Sequence, residues 1–208
     1  LQHAWAEIEH DLGYKSKNEV PKEIRRDFSR VAGLLELADK EFIRIREYLN
    51  KYKAEVDNNI KNAILRIPID KITLREYLDK SEIVDQINET LAKKNGGLIR
   101  ATLGFGAERN IAPLNNFDIK TISDLDSLLK ENEENIIRFF DEWTDKGKGV
   151  EVLPYDTPLF YLYYVLLYKN YSVDKLLDYM EVSEISKEET LSIDKALKNL
   201  IAKGFTLS

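Results

Sequence analysis

The feature that most constrains this chain is an unbroken run of apolar residues at alternating steps of four and three. Ile24, Phe28, Val31, Leu35, Ala38, Phe42, Ile45, Leu49, Tyr52 and Val56 keep that spacing without a gap, which is the heptad seam of a single long helix. Pro21 stands where a first-turn proline is tolerated. A helix from about Lys22 to Ile60 would be roughly 58 Å long at 1.5 Å per residue. Such a rod has to cover its apolar side. Leu34, Leu37 and Ile43 widen that side beyond a two-stranded seam, so the pattern predicts packing on other helices of the same chain. Self-association through Ile24, Phe28, Val31, Leu35, Phe42, Ile45 and Leu49 is the alternative.

Composition agrees with a helical fold. Gly (9) and Pro (5) are scarce in 208 residues, which disfavours turn-rich sandwiches and barrels. The expected class is all-α, a long helix followed by a helical C-terminal domain. The absence of Cys excludes disulfides, thiolate metal sites and a cysteine nucleophile. Net charge is −6, and residues 122–208 carry 17 acidic against 10 basic side chains. That surface repels DNA and anionic membranes. The longest apolar run, Pro158 to Tyr168, contains four Tyr. Their hydroxyls need partners, so a core helix is expected there and no membrane span. No cationic segment followed by an apolar one opens the chain, so a cytoplasmic location is expected.

Punctuation along the chain predicts three parts: 1–62, helical and including the heptad rod; 63–121, a connector with short helices and a loop; and 122–208, an acidic helical domain. Leu1, Trp5, Ile8 and Leu12 form a helical stripe that Gly13 stops. Residues 64–72 are β-branched around Pro68 and read as extended chain or a short edge strand. Thr73 and Glu76 have capping-box spacing, which places a helix start at Leu74. A second short helix is expected from Ser81 to Lys94, ended by Gly96-Gly97. Gly104-Phe105-Gly106, Pro113 and Asn115-Asn116 interrupt any pattern over 98–121, so a long loop is expected there. Leu125 to Trp143 reads as one helix. The Tyr-rich helix follows from Asp156 or Thr157 with Pro158, and Ser172 and the Ser186 to Glu189 box start the last two.

His3, Glu7 and His10 share one helical face. They are too spread along it for one metal ion: from residue 3 to residue 10 the rise is about 10 Å, whereas ligand bonds are about 2.1 Å. They read as a polar helix face whose imidazoles bond nearby carboxylates, or as the polar wall of a ligand site.

The same segment carries a resemblance. His3-x-x-Ala6-Glu7 is similar to a motif of the long RelA/SpoT alarmone synthetases, and Trp5-Ala6-x-x-Glu9-His10-x-Leu12-x-Tyr14-Lys15 resembles that of the small ones. The match covers about fifteen residues, and the long helix after it is consistent in position. The resemblance implies a (p)ppGpp synthetase of the stringent response, a GTP pyrophosphokinase that transfers the β,γ-diphosphate of ATP to the 3′-hydroxyl of GDP or GTP with Mg²⁺. It places Ala6 near the guanine, with Glu7 and His10 as polar contacts and His3 and Lys15 in support. A small Ala admits a ring, and a carboxylate can accept the guanine N–H donors. The family's ATP-binding cations, Mg²⁺-binding Asp, guanine-stacking Tyr and Glu-x-Gln-x-Arg strand precede this helix and are not in the 208 residues. The expectation is therefore a C-terminal part of a synthetase, inactive alone, holding neither a catalytic residue nor the metal. Its helical domain would regulate or oligomerise the enzyme, or serve as a protein-interaction module.

Three other features take simpler readings. Arg25, Arg26 and Arg30 read as solvated helix charge, Gly104-Phe105-Gly106 as a turn, and Tyr161, Tyr163, Tyr164 and Tyr168 as core.

Overall fold

A computed structural model describes residues 21–96, 98–100, 106–143 and 152–207. Nine helices and a pair of three-residue strands account for most of these residues, so the fold is all-α as composition predicts. The chain divides into two compact units, Leu1–Tyr52 and Lys53–Ser208.

The heptad rod is a continuous helix, α1 (Lys22–Lys61). Its polar side is laced by pairs three or four residues apart, among them Lys40 to Glu36 at 2.7 Å and Arg44 to Glu41 at 2.7 Å, exposed pairs that add little to stability in water. Its apolar side departs from expectation. Phe28 and Leu35 are half-buried, while Ile24, Val31, Ile45 and Leu49 are exposed, as is Phe42 at 69%. Breadth of an apolar stripe predicts that it will be covered, and among the described residues these side chains stay accessible.

In the second unit the last turns of α1 change character. Val56 is 2% exposed and Ile60 packs on the core. Asp57 accepts from Lys61 at 2.8 Å and is also paired with Lys80. The extended segment expected around Pro68 is present. Pro68 bridges Thr121 in antiparallel fashion, with Ile69 N–H donating to Lys120 O at 2.9 Å and Ile122 N–H to Ile67 O at 3.0 Å.

Helix α2 (Lys71–Lys80) starts three residues earlier than the Thr73–Glu76 spacing suggested. Asp70 is the cap: Oδ1 accepts from Ile72 N–H at 2.7 Å and Thr73 N–H at 2.9 Å, and Thr73 Oγ1 accepts from Asp70 N–H at 2.8 Å. Thr73 closes the box from its third position because Asp, a stronger cap, lies three residues before it. Helix α3 (Glu82–Asn95) ends on Gly96 with φ 66°, the left-handed conformation that glycine adopts without steric cost.

The loop expected over 98–121 is largely ordered structure. Leu98–Arg100 form β1, which pairs in parallel with β2 (Val152–Pro154) in the register Leu98 with Val152 and Arg100 with Pro154. Gly106–Asn116 form α4 with Pro113 inside it. A proline forfeits one helical hydrogen bond, and burial of Ala107, Asn110, Pro113 and Leu114 on one face compensates. Between the strands also come α5 (Ile122–Glu131) and α6 (Glu133–Trp143). Sequence periodicity merged these two. Asn132 separates them, its φ at −114° and its Nδ2 donating to Leu128 O at 2.8 Å.

The last three helices start at the expected caps: α7 (Thr157–Lys169), α8 (Val173–Val182) behind Ser172, and α9 (Lys187–Ala202) behind the Ser186–Glu189 box. The core of this unit joins Leu74, Ile87 and Leu114 from before residue 121 to Leu129, Phe139 and Leu162 from after it. Tyr161, Tyr163 and Tyr164 are buried within it. Their rings stack, Tyr164 on Phe139 at 6.2 Å between centroids and Tyr163 on Phe117 at 5.7 Å, so the Tyr-rich run is core, as its lack of neighbouring cations implied.

Candidate functional site

His3, Ala6, Glu7, His10 and Lys15 lie outside the described residues, as does Gly104-Phe105. Arg25, Arg26 and Arg30 are exposed on α1, and Arg30 pairs with Asp27 at 2.9 Å. Among the described residues no cluster of three or more His, Cys, Asp or Glu could hold a metal ion, and no helix is long and apolar enough to cross a membrane.

The second unit holds a candidate site of its own where α4, the β2 exit, α7 and the end of α8 meet. These elements wall a pocket of about 400 Å³ that opens to solvent. Asp156 is its polar centre. It occupies the cap position of α7, yet its side chain makes no capping bond. The carboxylate turns to α4 instead. Arg109 Nε donates to Oδ2 at 3.0 Å and Nη2 to Oδ1 at 2.9 Å, a bidentate pair, and Asn110 Nδ2 donates to Oδ2 at 2.8 Å. Asn110 Oδ1 in turn accepts from the Tyr163 hydroxyl at 2.8 Å. A carboxylate only 9% exposed would be costly without these donors.

Burial first, then the neighbouring Tyr179 and Asp156, pushes the Tyr163 hydroxyl well above its usual range, and burial pushes Tyr179 up to about 12. Both are neutral hydrogen-bonding groups near pH 7. Phe160, Tyr161 and Tyr179 present rings to the cavity, with Pro113, Leu153 and Ile185 completing the apolar wall. The arrangement suits binding. It joins an apolar, ring-lined interior to one fixed guanidinium at the edge.

Sequence reasoning passed over this site. Arg109 and Asn110 lie in a segment whose Gly, Pro and Asn residues predict a loop, and by sequence Asp156 is only a helix cap. The available signal was weak: an Arg-Asn pair one helical turn before Pro113, and an Asp before an unusually apolar helix.

Comparison of the chain with protein-family models, with curated proteins and with solved structures finds no match.

Proposed function

We propose that this chain is the C-terminal part of a guanine-nucleotide pyrophosphokinase of the RelA/SpoT type, with Lys53–Ser208 as an accessory helical unit. The observation that carries the reading is the motif Trp5-Ala6-x-x-Glu9-His10-x-Leu12-x-Tyr14-Lys15, followed at once by the long helix α1. In the reaction the 3′-hydroxyl oxygen of GDP or GTP attacks the β-phosphorus of ATP and AMP leaves. Ala6 would let the guanine approach its helix, and Glu7 would accept from the guanine N–H edge with His10 beside it. Transfer of this kind depends on cations and Mg²⁺ arranged around the phosphates. Those groups are not among the 208 residues, and the reading requires them elsewhere in the intact enzyme.

The test is an assay with ATP, Mg²⁺ and GDP or GTP on two proteins, the 208-residue chain and the chain extended by the residues its gene encodes before Leu1. The extended protein is expected to form AMP and a 3′-diphosphorylated guanine nucleotide, the short one neither. In the extended protein Glu7→Ala is expected to lower kcat/KM for the guanine nucleotide at least tenfold, the worth of about 1.4 kcal/mol. An extended protein without transfer, or a gene with no ATP-binding segment ahead of Leu1, overturns the reading.

A second reading, a helical interaction module, is favoured by the exposed seam of α1, where Leu34 is 66% and Phe42 69% accessible. Sedimentation should then show a dimer that dissociates on dilution and that Phe42→Asp weakens. A monomer at every concentration discards it.

A further inference from the structure

We propose that the cavity bounded by α4, α7 and α8 binds a small aromatic carboxylate, its ring among Phe160, Tyr161 and Tyr179 and its anionic group on the outward edge of Arg109. The inference concerns the second unit alone and does not rest on the pyrophosphokinase reading.

Size comes first. The pocket is open to solvent on one side, and its volume of about 400 Å³ lies in the range of small-molecule pockets. Its rings define the chemistry of the interior. Aromatic side chains favour another flat ring, by offset stacking or edge-on contact.

The polar groups then decide which substituent the ring carries. Asp156 is already occupied, with Arg109 and Asn110 donating to its two oxygens. A cationic or donor-rich ligand would have to displace those bonds. Arg109 has capacity left. Its Nε and Nη2 face Asp156, while Nη1 has no partner among the described residues, and its side chain is 64% exposed against 9% for the carboxylate it holds. The bidentate bond to the buried carboxylate holds the guanidinium plane and leaves its other edge exposed, a geometry that matches a second carboxylate.

Helix α7 adds to this. It is thirteen residues long and its first residue Thr157 lines the cavity. Pro158 has no N–H and Leu159 N–H donates to Asp156 O at 3.0 Å, so this end contributes the field of the helix dipole at the cavity edge and not a set of vacant donors.

Indole-3-acetate is a suitable probe, titrated calorimetrically into the full chain beside the neutral indole-3-acetamide and the cationic tryptamine. The acid is expected to bind at least about tenfold more tightly than the amide, one charge-assisted hydrogen bond's worth, and tryptamine least. Arg109→Gln should erase the preference for the acid over the amide. Ser183→Leu adds bulk to the cavity wall while keeping the Arg109–Asp156 pair, and it should abolish binding of all three with the helical signal intact. No heat from the acid at millimolar concentration overturns the proposal. So does equal affinity for acid and amide, or an unchanged affinity in Ser183→Leu.

Discussion

Asp156 gives up the ordinary duty of a helix-cap carboxylate, and the network it joins instead fixes the position of α4 against α7. Asn110 is the hinge of that network because it donates to Asp156 and accepts from Tyr163. Asn110→Ala strips a partner from two buried groups at once. A loss of about 2–3 kcal/mol in urea unfolding is expected, the cost of stranding buried polar atoms. Lys198→Ala, which removes a pair between an exposed Lys and Asp194, should leave the urea midpoint nearly unchanged. Equal effects of the two would show that the network is solvated.

The buried phenols make a second prediction. Tyr77, Tyr163, Tyr164 and Tyr179 all have raised values, burial being the largest cause, and Tyr179 moves from 10.0 to about 12. Below the unfolded value both states hold the phenol proton and pH has no effect through these groups. Above it the unfolded chain releases protons that the folded chain keeps, so stability falls as pH rises from about 10 towards 12 and beyond. Part of the tyrosinate absorbance should therefore appear only as helical circular dichroism is lost in that window. Ionisation of all eleven phenols while the helices persist would refute the burial. This residue-level chemistry was half legible in the sequence: the Tyr run announced a core, but the partners of its hydroxyls lie tens of positions away and follow no local rule.

At the scale of elements, the helices that declared themselves were those with a strong seam or a side-chain cap at the right spacing. α1 and α9 began where pattern and capping box placed them. α4 was hidden, because Gly106, Pro113 and paired Asn residues each weaken helix locally and only burial of one face outweighs them. Asn132 shows the opposite failure. Apolar spacing continues across it, and only the backbone reveals two helices. The start of α2 tests how far capping decides an element. Asp70→Ala removes the acceptor for two N–H groups and should cost about 1 kcal/mol, read as a shift of the urea midpoint with unchanged slope. Thr73→Val should cost a comparable amount, since it loses the reciprocal bond to Asp70 N–H. A silent Asp70→Ala would return the cap to Thr73.

At the scale of the molecule, periodicity reports that a face is apolar but not what covers it, so the seam was legible and its exposure was not. The core of the second unit draws on residues from both sides of position 121. Leu74 and Ile87 pack with Phe139 and Leu162, and the parallel strands β1 and β2 join segments more than fifty residues apart. Composition sees only local bias, whereas a core is closed by long-range contacts. Lys53–Ser208 is one compact unit, and it includes the final turns of α1, where Val56 is buried and Asp57 pairs with Lys80. A polypeptide of residues 53–208 is therefore expected to fold alone, with one cooperative urea transition and exchange-protected amides in α3, α5 and α7. Starting instead at residue 63 removes Val56 and Ile60 from the core, and truncations of that size cost about 2–4 kcal/mol. That shorter piece should unfold at a clearly lower urea concentration. Equal midpoints for the two pieces would mean that the end of α1 contributes nothing to the unit, and a broad, probe-dependent transition in the longer one would mean that the unit is not autonomous.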